Sequence, residues 1–177
     1  MTGLAVPREQ LQHLKVIDSG QFGDVMFGVW QRPGKPPVKV AVKRMKAGSQ
    51  ATPEQENEFL KEMTTMAQLS HPNLVALLAV VTSSPMLLVL EYMNGGSLYN
   101  FVRSRMHPIV MDEVTRMSRQ IASGLAYLTT HSIVHRDVAA RNVLIHLAPS
   151  GGAYVCKIAD LGLSRIVQKM YYLRSVP

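Results

Sequence analysis

The chain has 177 residues, 47% of them hydrophobic, and carries 19 Lys and Arg against 12 Asp and Glu, a formal charge of +7. That length suits one ordinary domain with a sizeable core, and no apolar run approaches the ~20 residues of a membrane-spanning helix. The basic residues are scattered singly or in pairs, without the stripe and interleaved aromatics of a nucleic-acid groove, so a solvated surface is expected and no nucleic-acid partner. The segment from Met1 to Glu9 lacks the apolar core of a secretory signal, so this stretch is expected to be neither secreted nor anchored by itself. Cys156 is the only cysteine, which excludes an internal disulfide and a thiolate metal site; between Val155 and Ile158 it reads as a buried structural thiol in a reducing compartment.

Along the chain, short β-like runs come first, at residues 25–30, 38–43, 74–81 and 86–90, and predict a small, mostly antiparallel sheet. The run 38–43 alternates, so Val38, Val40 and Val42 share one face while Lys39, Ala41 and Lys43 share the other. Thr52-Pro53-Glu54-Gln55 then offers a capping hydroxyl, a proline at the first helical position and a glutamine beyond, announcing a helix to about residue 69. Phe59, Met63, Met66 and Ala67 form its apolar stripe, and Glu58, Glu62 and Met66 recur along a neighbouring line that turns Glu62 inward. After the turn-rich Asn94-Gly95-Gly96 the pattern becomes helical, with Val114, Met117, Ile121, Leu125 and Leu128 spaced as one amphipathic face. Residues 149–152, rich in Pro and Gly, separate two further strands at 143–147 and 154–158, and no internal repeat is visible.

Three clusters carry chemistry. Gly20-Gln21-Phe22-Gly23-Asp24-Val25 lies between strand-like segments, where glycines let backbone amides approach phosphate oxygens; an ordinary hairpin turn explains two glycines equally well. Lys43 alone would be a solvated edge lysine, but it can pair with phosphates if a helical carboxylate holds it, for which Glu62 is the choice and Glu58 the runner-up. In His135-Arg136-Asp137-Val138-Ala139-Ala140-Arg141-Asn142, Asp137 has three readings, as catalytic base, loop cap or surface charge. Its spacing to Asn142 and then to Asp160-Leu161-Gly162 selects the first, because few structural loops need those residues in that order. Phosphoryl transfer asks for metal ions on the phosphates and a group that orients the attacking hydroxyl. Asp160 and Asn142 are hard oxygen donors suited to Mg²⁺, His135 reads as a packed scaffold residue, and Arg136 as an electrostatic anchor for a phosphorylated loop.

With these residues in place, the chain from about Leu14 onward resembles the eukaryotic protein-kinase family. Its catalytic loop is similar to that of tyrosine kinases, with Ala139 where serine/threonine kinases carry a lysine, and Arg141 in the form Ala-Ala-Arg-Asn. The resemblance implies an α+β, two-lobe fold divided into a lead-in (1–13), an N-lobe with hinge (14–93) and part of a C-lobe (94–177). It implies ATP and Mg²⁺ as cofactors and protein tyrosine as substrate. Asp137 and Arg141 would stand at the accepting hydroxyl, Lys43 and Glu62 would position ATP, and Asn142 and Asp160 would hold metal. Gly20, Phe22, Gly23, Val25, Ala41, Leu90, Glu91 and Met93 would surround the nucleotide, with Leu90 limiting a rear pocket. Tyr171 and Tyr172 correspond to activation-loop autophosphorylation sites, for which Arg136 or Arg165 would supply the cation and a homodimer the trans-acting partner. The lead-in Pro7-Arg8-Glu9 leans toward receptor kinases, hence a cytoplasmic kinase domain of a plasma-membrane receptor, with the membrane reached only through other segments.

Three departures accompany the resemblance. Asp18 replaces the first glycine of the loop motif, Leu161 replaces the phenylalanine of the Asp-Phe-Gly turn, and the family's Ala-Pro-Glu segment and later helices have no counterpart before Pro177. The chain is therefore expected to be part of a larger protein, inactive alone and exposing the apolar face of the 114–128 helix. The alternative function is a non-catalytic pseudokinase or truncated scaffold module.

Overall fold

A computed structural model describes residues 3–20, 23–44, 53–104, 109–148 and 154–166. Five strands form one antiparallel sheet in the order β1-β2-β3-β5-β4: β1 (Leu11–Gly20), β2 (Gly23–Trp30), β3 (Val38–Arg44), β4 (Leu77–Val81) and β5 (Leu87–Glu91). Alternation decides its two faces. Val40 and Val42 are fully buried on one side with Leu11, Met26, Ala79, Val81, Leu87 and Val89. On the other side Leu88 and Val80 pack against Phe59 of helix α1 (Pro53–Met66). Directly opposed residues in an antiparallel pair point the same way. Because Lys43 is opposed to both Val25 and Leu88, it stands on the α1 side.

The run expected at 74–81 is divided. Only its second half pairs with β5, while Leu74 bridges in parallel to Ile158, with Val75 N–H donating to Ile158 O and Ile158 N–H to Asn73 O, each at 2.9 Å. A continuous apolar run cannot reveal that its ends find backbone partners in different sheets. Likewise α1 ends at Met66 rather than near residue 69. Gln68 N–H reaches Thr65 O at 3.2 Å and Leu69 N–H reaches Met66 O at 3.1 Å, the tighter i→i+3 pattern of a closing turn ahead of Pro72. The proposed cap Thr52 and the turn at 149–152 lie outside the described residues.

Beyond β5 the helical part begins with α2 (Leu98–Arg103), whose N-cap Ser97 accepts from Asn100 N–H at 3.2 Å. The amphipathic helix is α3 (Met111–Thr130), opened by Asp112 and Glu113, acids that suit the positive end of the helix dipole. Met117 and Ile121 of α3 meet Val143, Ile145, Tyr154 and Cys156 of the hairpin β7 (Val143–Leu147) and β8 (Tyr154–Ile158). Further along, Leu128 joins Met66, Leu74, Ile133, Ile158 and Leu161 in a cluster linking α1 to the turn after β8. Two short strands, β6 (Ile133–Val134) and β9 (Arg165–Ile166), pair beside it. Val114, expected in the apolar stripe, is exposed, as are Val110 and Met111. Cys156 is fully buried, and burial pushes its thiol up to about 11, so it is the inert structural thiol expected.

Gly124 shows how closely α3 lies against the rest. A Cβ there would stand 2.7 Å from the Asn73 carbonyl oxygen and 2.9 Å from Ile158 Cδ1. Alanine gains about 1 kcal/mol of helix propensity, but the clash is with backbone and overpacking costs ~1–3 kcal/mol. Gly124→Ala is expected to lower the thermal midpoint; an unchanged or higher midpoint would show that α3 and β8 separate at no cost.

Candidate active site

Three segments converge on one charged cluster, and a fourth is tied to it through Ala159. β3 supplies Lys43, α1 supplies Glu62, and the turn after β8 supplies Asp160. Lys43 Nζ donates to Glu62 Oε1 at 2.7 Å, to Glu62 Oε2 at 2.8 Å and to Asp160 Oδ1 at 3.1 Å. Lys43 and Glu62 are buried at 8% and 5% exposure, an arrangement tolerable only because each charge has its partner. Glu58, the runner-up, lies elsewhere, 4.0 Å from Arg165 Nη2.

Electrostatics within the cluster pull both ways. For Lys43, burial is the largest influence and disfavours the ammonium, yet the carboxylates of Glu62 and Asp160 together outweigh it and raise its pKa above 10.5. For Glu62, burial again comes first and lifts its pKa above 4.5, against the pull of Lys43. The two shifts disagree on whether the ionised pair is favoured. The lysine's direction carries more weight here, because its ammonium meets three carboxylate oxygens from two acids.

The fourth segment is the loop from His135 to Asn142. Asn142 Nδ2 donates to Asp137 Oδ2 at 2.8 Å and to the Asp137 carbonyl at 2.9 Å, and Arg141 Nη2 donates to Asp137 Oδ1 at 2.5 Å. These bonds, from Asn142 first and Arg141 next, hold the Asp137 carboxyl below its usual range, so it is ionised at neutral pH. The loop grips the turn through Ala159. His135 Nε2 donates to Ala159 O at 3.0 Å while Nδ1 accepts from Asp137 N–H at 3.3 Å, and Ala159 N–H donates to Asn142 O at 2.8 Å. Those roles assign His135 the neutral tautomer protonated at Nε2. It is buried at 3% exposure, as a scaffold residue should be.

Arg136 (φ 67°) and Asp160 (φ 60°) adopt left-handed backbone, which costs a residue with a side chain roughly 1–2 kcal/mol. Both are held there: Arg136 Nε donates to Leu163 O at 2.6 Å, and Asp160 Oδ1 accepts from Gly162 N–H at 3.4 Å. At Gly162 a Cβ would stand 3.2 Å from Asp160 Oδ1 and 3.4 Å from Glu62 Oε2, against the ion cluster. Leu161, at 4% exposure, packs in the cluster that holds Met66 of α1 and Leu128 of α3.

Around this centre the sheet register places Val25 opposite Lys43 and Ala41 opposite Leu90, so Val25, Ala41, Lys43 and Leu90 share one face. Gly20 and Gly23 form the last pair of the β1–β2 hairpin. Met93 is buried, and its carbonyl accepts from Gly96 N–H at 3.3 Å. Phe22, Tyr171 and Tyr172 lie outside the described residues. Sequence reasoning assigned Glu91 to the hinge but missed its side chain's engagement: Lys157 Nζ of β8 donates to both carboxylate oxygens at 2.8 Å, and Ala76 N–H donates to Oε1 at 2.8 Å. The alternation of β8, with Tyr154, Cys156 and Ile158 buried, singles out Lys157 on the other face but does not name its partner.

Among the described residues no three His, Cys, Asp or Glu side chains could hold a metal by themselves. The donor set nonetheless fits Mg²⁺, which needs one or two protein oxygens and takes the rest from water and phosphate. Asp160 offers a carboxylate, and Asn142, with Nδ2 turned to Asp137, offers its amide oxygen.

An antiparallel sheet whose lysine meets a helical glutamate, joined to a His-Arg-Asp loop and an Asp-x-Gly turn, is the architecture of the protein-kinase class of phosphotransferase. The chain belongs to the protein tyrosine and serine/threonine kinase family, whose model matches residues 11–176. It is 43% identical over 155 residues to ephrin type-B receptor 5 of Gallus gallus and 41% identical over 155 residues to ephrin type-A receptor 4-B of Xenopus laevis. Each match covers 87% of this chain and 15% of the receptor, so the chain spans about a seventh of the length of these relatives. Among the described residues no helix is long and apolar enough to cross a membrane.

The Lys43 cluster has a measurable consequence. Lys43 titrates higher folded than unfolded, so its contribution to stability is present below pH 10.5 and lost as pH rises through its folded value. Lys43→Met should lower unfolding free energy at neutral pH by about 3 kcal/mol, since it leaves a buried carboxylate without its cation. It should also remove the alkaline loss of stability assigned to Lys43. Urea titrations at a series of pH values test this; the same alkaline limb in the variant would refute the assignment.

Proposed function

We propose that this chain is the catalytic part of a receptor-type protein tyrosine kinase that transfers the γ-phosphoryl group of Mg-ATP to tyrosine hydroxyls of proteins. The observation that carries the proposal is Asp137, ionised and held by Asn142 and Arg141, on a loop that is tied through Ala159 to the Lys43–Glu62–Asp160 cluster. The receptor assignment draws on the named relatives, both ephrin receptors, and with it an intracellular location at the plasma membrane and trans-autophosphorylation within a homodimer.

In this reading the tyrosine hydroxyl donates to Asp137. With both carboxylate oxygens already accepting bonds, Asp137 is a weak base, and its work is to orient the hydroxyl. Arg141, the residue that marks the tyrosine-kinase form of the loop, fixes that carboxylate and is exposed enough to meet the substrate. Lys43 presents positive charge to the nucleotide phosphates, held by Glu62; Gly20, Phe22, Gly23, Val25, Ala41, Leu90, Glu91 and Met93 enclose the nucleotide. Asp160 and Asn142 would hold Mg²⁺, whose charge neutralises the phosphates when bound. Tyr171 and Tyr172 would accept phosphate and draw on Arg136 or Arg165.

A second reading, a nucleotide-binding module without transfer, is favoured by one observation. Asp18 is opposed to Val25 and therefore brings a carboxylate to the Lys43 side of the sheet.

Asp137→Asn in the full-length protein should reduce phosphate transfer by ~10³-fold or more while leaving ATP affinity within about twofold. Retained turnover would refute the role of Asp137; ATP binding by the wild type without any transfer would select the second reading. Replacing Tyr171 and Tyr172 together by Phe should abolish the rise in activity on preincubation with Mg-ATP, and an unchanged rise would reject them as the activating sites.

A further inference from the structure

The end of the sheet nearest the Gly20–Gly23 pair carries a row of side chains that the reading above leaves unused. Register opposes Ser19 to Asp24 and Asp24 to Arg44, so the three stand in line across β1, β2 and β3. Arg44 is in turn opposed to Leu87, a member of the Val40 and Val42 cluster, which puts the row on the face away from Lys43. One carboxylate joins all three strands: Ser19 Oγ donates to Asp24 Oδ1 at 2.8 Å, and Arg44 Nη2 donates to Asp24 Oδ2 at 2.8 Å.

Two further facts separate this row from an ordinary surface ion pair. The Asp24 side chain is 17% exposed and that of Arg44 31%, so solvent screens the pair only in part. Arg44 Nε is buried with no partner among the described residues, so within them Asp24 is the acceptor that orients the guanidinium. Next to the row, Asp18 Oδ1 accepts from Ser19 N–H at 2.9 Å. The aspartate that stands in place of a glycine thus occupies the Ser19 amide, near the end of β1.

We infer that Ser19, Asp24 and Arg44 act as positioning residues that fix the root of the glycine-bearing hairpin against β3, so that loop amides and Lys43 meet the nucleotide phosphates together. The inference rests on the nucleotide-binding part of the function proposed above. None of the three touches substrate. Arg44 follows Lys43 directly in β3, so the row sets the separation between the lysine and the hairpin end from the back of the sheet. Its loss should loosen nucleotide binding and leave the chemistry at Asp137 alone.

The test is steady-state kinetics and titration with a fluorescent ATP analogue, using the full-length protein. Asp24→Ala should raise the KM for ATP and the analogue Kd by ~5-fold or more with kcat changed less than about twofold, the signature of lost binding. Asp24→Asn keeps an acceptor for Ser19 and should fall between, Arg44→Lys should recover part of the loss seen in Arg44→Ala, and Ser19→Ala should add little to Asp24→Ala because the two share one bond. An unchanged KM and Kd in Asp24→Ala would overturn the inference, as would a fall in kcat accompanied by a lower thermal midpoint that Arg44→Lys does not recover. If the wild type binds the analogue but transfers no phosphate, the kinase reading fails while the Kd comparison still decides this inference; if the wild type binds no nucleotide, both fall.

Discussion

A buried ammonium needs carboxylates, and much of this molecule follows from where they are found. Lys43 is carried in by the sheet, Glu62 by α1 and Asp160 by the turn beyond β8, so three segments remote in sequence must close on one point. An ion pair of this kind adds little net stability compared with a well-packed apolar alternative, because desolvation offsets most of the attraction. Its effect is selective: any packing that slides α1 along the sheet, or turns Asp160 away, leaves a charge stranded in an apolar setting. Phe59 and Met66 on α1 supply the hydrophobic drive, and the ion cluster supplies the register.

The second coupling runs through a single residue without chemistry of its own. Ala159 presents its carbonyl to His135 and its N–H to Asn142, so the loop holding Asp137 is tied directly to the turn holding Asp160. In that clasp one ring nitrogen of His135 donates and the other accepts, so both polar atoms of a buried histidine are satisfied. The left-handed conformations of Arg136 and Asp160 lie on either side of this clasp, where surrounding bonds offset their cost.

Much of this was legible beforehand, for reasons that can be named. The alternation in residues 38–43 placed Lys43 opposite the buried valines because side chains on a strand alternate whatever the strand packs against. The spacing from Asp137 to Asn142 marked the two as partners in one loop, and their hydrogen bonds are local, though their pattern was not foreseen. Glu62 and Glu58 were harder to separate. They lie one helical turn apart on the same line, and the choice depended on which turn of α1 sits deeper over the sheet. The division of residues 74–81 between two sheets, the ion pair from Lys157 to Glu91 and the row from Ser19 to Arg44 left no trace in local pattern.

The sequence by itself determined the residue types, their faces and the local loops, because periodicity, capping and short-range hydrogen bonds act within a few residues. It also carried the family, since the His-Arg-Asp loop and the Asp-x-Gly turn are short, contiguous motifs. Tertiary structure decided which carboxylate meets Lys43, where the long apolar run breaks, and how Glu91 of β5 is tied to β8. Those outcomes turn on distances between segments dozens of residues apart, and such distances follow from the packing of α1 and α3 against the sheet and hairpin rather than from neighbouring residues in the chain.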